Sequence, residues 1–296
     1  MSGIPYIGEI MSLLAALFWA IGVIFFKLAG ERMQPLALNL YKNCVAMVLL
    51  PITMLVVSQP FFPEVPLEWW LLMAGSGVIG IAVADTMFFF SLEKLGAGLT
   101  AVVDTSYTPL MLGMSFFFLS EDMAPKSLVG AVLIMAALLV GSAARPDKGK
   151  TRRDIVIGTV VGILGIFLMA ISIVMIKGML SQVSILWATT VRIAAATIAL
   201  IPIMILHPRR RLLFTSVLSS KAWTSAFPAA VFGTYLAMIV WLGGMKYIDV
   251  HRAALLNQMS AIFIFVFALI FLKEPLTRRR LLAISLAATG AFLVAY

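Results

Sequence analysis

Ala144-Arg145-Pro146-Asp147-Lys148-Gly149-Lys150-Thr151-Arg152-Arg153-Asp154 is the longest polar run in a chain of 296 residues, and it falls at the midpoint. Sliding the second half onto the first by 150 positions, without a gap, pairs Gly8 with Gly158, Leu14 with Leu164, Ala20 with Ala170, Lys27 with Lys177, Lys42 with Arg192 and Met54 with Met204. A shift of three more residues pairs Trp70 with Trp223, Gly80 with Gly233, Ala101 with Ala254 and Glu121 with Glu274. Identities are few but the register is shared. The run therefore reads as a basic linker, 145–154, between two homologous units, 1–144 and 155–296, because self-similarity governs every later assignment.

Outward from that linker the chain is apolar. Hydrophobic residues make up 62% and charged residues 12%, against about 45–50% and roughly 25% in soluble domains. Each polar cluster is followed by an apolar run long enough to cross roughly 30 Å of hydrocarbon at about 1.5 Å per helical residue. Segments of strand length with alternating pattern are absent, which excludes a barrel. The start of the chain carries Glu9 where a secretion signal carries basic residues, and its apolar run is too long for one, so it reads as a structural helix. The single cysteine, Cys44, excludes intrachain disulfides and a multi-cysteine metal site. Basic residues flank the apolar runs, so the net charge of +9 reads as topology and anionic headgroups and not as nucleic-acid binding.

The pattern predicts an all-α polytopic membrane protein of ten helices, five per unit: 7–28, 35–58, 67–91, 97–119, 126–144, 155–180, 184–206, 221–244, 251–272 and 279–296. Gln59-Pro60, Gly96, Pro125, Pro208 and Pro275 mark the connections. The loops on one face hold sixteen of the 22 Lys and Arg residues, and the face with both termini holds only Lys126, Lys246 and Arg252. Cytoplasmic loops carry the basic excess, which puts both termini outside. Five is odd, so the second unit runs upside down relative to the first, enclosing a central cavity. Inverted repeats of this kind mark secondary transporters.

The two halves resemble tandem EamA-type repeats of the drug/metabolite transporter superfamily. The resemblance rests on a Lys ending the first helix of each unit (Lys27, Lys177), a base early in the second (Lys42, Arg192), and Ala84-Asp85-Thr86-Met87-Phe88-Phe89-Phe90-Ser91-Leu92 closing the third. It extends to Pro109 in mid-helix and to Phe116-Phe117-Phe118-Leu119 before Glu121, echoed by Leu272-Lys273-Glu274-Pro275-Leu276-Thr277. It covers essentially the whole chain and specifies a superfamily, not a substrate. It implies a multi-pass protein of the cell (inner) membrane that exports or exchanges amino acids, organic anions, other metabolites or drugs. It also implies cytosolic termini, as related nucleotide-sugar carriers are drawn, against the charge count.

Three charged residues, Lys42, Asp85 and Asp104, each lie six or seven positions into a helix from its basic end, which is about 10 Å deep. A charge at that depth costs about 2.5–3.5 kcal/mol unless it meets a partner or water. Equal depth allows a Lys42–Asp85 or a Lys42–Asp104 pair. Such a pair is either a proton-coupling site, in which burial and the Lys42 charge act on the carboxylate in opposite senses, or a structural tie between helices. In the second unit Lys42 becomes Arg192, while Asp85 becomes Met238 and Asp104 becomes Asn257, followed by Gln258. Arg192 is left facing the outer side without an acidic partner. With Asn257, Gln258 and Tyr235 it is expected to hold a substrate carboxylate, the alternative being bonds to helix-end carbonyls. Of the aromatics Trp19, Tyr41, Phe88, Tyr107 and Trp241, Tyr107 is expected at the site, one turn from Asp104.

Other apparent motifs carry less. Gly75-Ser76-Gly77-Val78-Ile79-Gly80 matches a dinucleotide fingerprint but lies inside an apolar span without a preceding strand, so it reads as close helix packing. His207 and His251 fall at opposite interfaces, far from Cys44, so no metal set is expected. Expected partners are a small-molecule substrate and membrane lipid, with no cofactor and no nucleic acid, for a monomer or homodimer. The reading is a gradient-driven transporter working by alternating access. The rival class is an intramembrane hydrolase with Asp85 and Asp104 as its acid pair.

Overall fold

The computed structural model describes residues 6–119, 125–142, 151–218, 220–248, 250–273 and 277–295. Glu121, Glu274, Pro275, residues 143–150, which include the linker up to Lys150, and Tyr296 lie outside the described residues. Twelve helices are present among those described: α1 Ile7–Gly30, α2 Pro35–Val56, α3 Leu67–Leu95, α4 Ala97–Asp104, α5 Tyr107–Leu119 and α6 Pro125–Ser142 in the first half. The second half supplies α7 Arg152–Leu180, α8 Ile185–Leu206, α9 Arg210–Val217, α10 Lys221–Tyr247, α11 Val250–Phe271 and α12 Arg278–Ala295. Six of them, α1, α2, α3, α7, α8 and α10, are long and apolar enough to cross a bilayer, and shorter apolar helices accompany them.

Local chemistry explains where these helices differ from the spans expected from sequence. The expected helix 97–119 is broken into α4 and α5 at Thr105-Ser106. Pro109 has no N–H to give the Thr105 carbonyl four residues back, and its ring would clash there. The Thr105 hydroxyl instead bonds back to the Val102 carbonyl at 2.6 Å, closing the end of α4. Helix α7 starts at Arg152 and not at 155. The Thr151 hydroxyl accepts from the Asp154 amide at 3.1 Å while the Asp154 carboxylate accepts from the Thr151 amide at 3.0 Å, a reciprocal cap. The connection after α8 folds into α9, whose Leu213 is buried against the body.

The halves interlock by exchange. Helix α1 packs against α10 and α11, and its repeat partner α7 packs against α3, α4 and α5. The second helices, α2 and α8, lie on one another, as do the last, α6 and α12. The contacts repeat residue for residue. Gly162 faces Ser91 just as Gly244 faces Ser12, and Gly80 faces Ser172 where Gly233 faces Gly22. Close approach through small residues is the usual basis of helix association in lipid, where burying apolar surface gains little. On α7 the same logic divides the faces. Gly158, Gly162, Gly165 and Ile166 are buried, while Val156, Val160, Leu164 and Phe167 face outward.

Helices α2 and α8 cross antiparallel. Thr190, in the second turn of α8, donates its hydroxyl to the Met54 sulfur, in the last turn of α2, at 3.3 Å. Both third helices, α3 and α10, carry a π-helical segment at matching places, Val78–Ala84 and Val231–Leu236, flanking a central cavity. Such wide turns are rare and often mark functional positions.

Candidate functional site

Helix α2 presents Asn39, Lys42 and Asn43 on one face, as residues three and four apart must. Asn39 Nδ2 donates to the carbonyls of Ile81 at 2.8 Å and Ala82 at 3.1 Å, and to the Thr86 hydroxyl at 2.8 Å. These carbonyls belong to the π segment of α3, so the amide satisfies acceptors in the stretch where the regular helical pattern is interrupted. Asn43 Nδ2 donates to Asn39 Oδ1 at 3.4 Å, and Lys42 Nζ donates to Asn43 Oδ1 at 3.0 Å. The chain of bonds ends in an ion pair, with Lys42 Nζ 2.7 Å from Asp85 Oδ2. Both side chains are buried, at 2% and 6% exposure, so neither charge has bulk water to fall back on.

Around this pair lies a cavity of about 130 Å³. It is lined by Lys42, Asp85, Asp104, Tyr107, Asn257 and Gln258, six of the eight residues expected from sequence, together with Trp19, Met169, Thr234, Met238, Trp241 and Ser260. The break between α4 and α5 aims both Asp104 and Tyr107 inward. Trp19 stands on the wall with Asp104, near enough to act on its carboxylate. Both halves of the chain contribute to the wall.

Arg192 and Tyr235 do not line the cavity. The Tyr235 hydroxyl is 2.5 Å from that of Thr53, tying α10 to α2, while its neighbour Thr234 faces the cavity. Arg192 is wholly buried directly behind the wall. Gly77 allows the α8 backbone at Arg192 to touch α3, and this approach sets the guanidinium between Gly80, Ser172 and Trp241. Its Nη2 donates to the Ser172 hydroxyl at 3.3 Å, and its Cζ lies 5.9 Å from the Trp241 ring centroid. Arg192 makes no ion pair with an acid among the described residues, yet it lies near enough to Asp85 to act on it through space. The cause is the exchanged packing, which brings the second helix of one half against the third of the other. The glycines of the apparent dinucleotide fingerprint serve this contact.

Toward the C-terminal ends of α1 and α3, aromatic rings stack outward from Trp19 on the cavity wall. Trp19 packs on Phe88 at 5.2 Å between centroids, Phe88 on Phe89 at 5.7 Å and Phe89 on Phe26 at 4.7 Å. Ala222, Ala226, Ile264 and Ala268 fill the space around them. Met169 was not foreseen as a wall residue, although it is the repeat partner of Trp19 at the 150-residue shift and could have been found that way. Among the described residues no three His, Cys, Asp or Glu side chains gather as a metal site.

Comparison with known proteins gives the arrangement a family. The model of the EamA-like transporter family matches residues 6–142 and again 156–296, once for each half. The chain belongs to the EamA-like transporter family. It is therefore a two-repeat, multi-pass member of a family of transporters, not of enzymes. A solved crystal structure of a protein 15% identical in sequence superposes with a TM-score of 0.73 over 97% of this EamA-like chain and 95% of the other, a likeness of fold. A search of the curated proteins found no match.

Proposed function

We propose that this EamA-like protein is a secondary active transporter that exports or exchanges a small metabolite across the cell membrane by alternating access. Ten spanning helices, five in each half, form two inverted units around the central cavity, and the units rock about it. The observation that carries the reading is a cavity walled by both halves and holding a buried Lys42–Asp85 pair beside Asp104. A charged chamber deep in an apolar bundle is costly unless it serves passage. Inversion is supported by the antiparallel crossing of α2 and α8 and by the exchanged contacts of α1 and α7. Asp85 and Asp104 are the candidate carriers of a coupling proton.

The hydrolase alternative requires two carboxylates sharing one proton. Here Asp85 is engaged by Lys42 at 2.7 Å, which argues against a proton shared between Asp85 and Asp104. The test is flux. In proteoliposomes, a panel of radiolabelled amino acids, organic acids and cationic drugs, with and without an imposed pH gradient, is expected to include at least one accumulated solute. Lys42→Met is expected to abolish that accumulation. Absence of flux for every solute, with peptide cleavage that needs both acids, would sink the transport reading.

A further inference from the structure

The polar groups around the cavity are unevenly matched. Among the described residues, buried side-chain atoms without a hydrogen-bond partner include Arg192 Nε and Nη1, Asn257 Nδ2 and the hydroxyls of Tyr107 and Thr234. The three nitrogens can only donate, and each hydroxyl has a proton to give. A surplus of buried donors is relieved by a ligand that brings acceptors, above all a pair of anionic oxygens.

The cation on the wall, Lys42, is already engaged by Asp85 at 2.7 Å. A ligand anion cannot take Lys42 without leaving Asp85 as an unpaired buried charge, which is strongly unfavourable. The position 150 residues on from Lys42 answers this. Arg192 stands behind the wall within electrostatic reach of Asp85, with two nitrogens, Nε and Nη1, making no hydrogen bond. The two bases that can serve Asp85 thus come from opposite halves of the molecule.

We propose that Asp85 is a shared counter-ion, passed from Lys42 to Arg192 when the carboxylate of a ring-sized apolar ligand enters the cavity and takes Lys42. Trp19, Tyr107, Met169, Met238 and Trp241 supply the apolar wall for the body of such a ligand. The cavity of about 130 Å³ is comparable with the roughly 150 Å³ that accepts a benzene-sized molecule. The proposal rests on the transport reading only in taking this cavity as the place where solute binds. Arg192 is then a positioning residue, acting on the ligand through Asp85.

Calorimetric titration of the purified full-length protein with benzoate, benzamide and benzylamine tests this, since the three share a ring and differ in charge. Benzoate is expected to bind, with the other two weaker by roughly tenfold or more. Arg192→Gln is expected to weaken benzoate by a similar factor. Adding Asp85→Asn to that variant is expected to restore binding, because the neutral amide no longer claims Lys42, and loss through mere structural damage would not be so rescued. Where Arg192→Gln does not fold, Asp85→Asn alone decides: benzoate must bind at least as tightly as to the unaltered protein. No benzoate binding, equal binding of benzamide, indifference to Arg192→Gln, or weaker binding by Asp85→Asn overturns the proposal. Benzoate binding with these dependences but no solute flux would overturn transport and leave the counter-ion exchange standing. Flux without a preference for carboxylates would do the reverse.

Discussion

Lys42 and Asp85 form a buried ion pair, and its structural role separates by mutation from the part proposed for it in transport. Removing one partner of a buried pair costs about 3–5 kcal/mol, whereas replacing both by apolar groups is often neutral. Lys42→Met is therefore expected to lower the thermal unfolding midpoint in detergent sharply, and Lys42→Met with Asp85→Leu to recover most of it. Transport in the double variant is expected to stay absent. Recovery of flux along with stability would reduce the pair to a structural tie. Counting depth in the helices narrowed the partner of Lys42 to Asp85 or Asp104, and the structure selects Asp85. The position of Arg192 was not legible in the sequence. It depends on how closely α8 approaches Gly77, a distance between segments far apart in the chain that no local pattern encodes.

At the scale of elements, the π segment of α3 depends on an outside amide. Asn39→Leu removes the side-chain donor from the Ile81 carbonyl and leaves Ala82 only the Thr86 hydroxyl, which is expected to cost about 1–3 kcal/mol. A drop in the thermal midpoint checks this, and Asn39→Gln is expected to recover little, since its longer side chain misplaces the amide. The crossing of α1 and α10 sets a second limit. A methyl group on Gly22 would run into the backbone of Gly233, so Gly22→Ala is expected to cost about 1–3 kcal/mol by forcing the helices apart. An unchanged midpoint would show that the crossing yields easily. Helix periodicity and turn residues revealed most of these elements in advance. The break between α4 and α5 was only half legible: Pro109 announced a kink, but the Thr105 bond that ends α4 is a choice among several local partners.

At the scale of the molecule, the distribution of basic residues assigns sides to surfaces that the packing alone leaves unassigned. Cys44 is the single native cysteine, so a Cys44→Ala background allows one-at-a-time labelling with a membrane-impermeant reagent. Ser58→Cys, after α2, and Ser181→Cys, after α7, are expected to react from one side of intact cells, and Thr215→Cys, on α9, only after the other side is opened. The excess of Lys and Arg near α9 is the ground for expecting its side to be the cytoplasmic one. Reaction of Ser58→Cys and Thr215→Cys from the same side would refute the crossing pattern. The duplication was plain from the linker outward, and the family match covers both halves. The exchange of partners between the halves was beyond reach, because a repeat reveals that two units are alike without saying how they are joined.

Trp19 belongs to two assemblies at once, lining the cavity with Asp104 while forming the first ring of the stack with Phe88. One indole cannot shift with a neighbour inside the cavity and keep its seat against a ring outside it. On the transport reading, a solute that moves Trp19 would therefore disturb the stack as well, so that loading and loosening would be a single mechanical event.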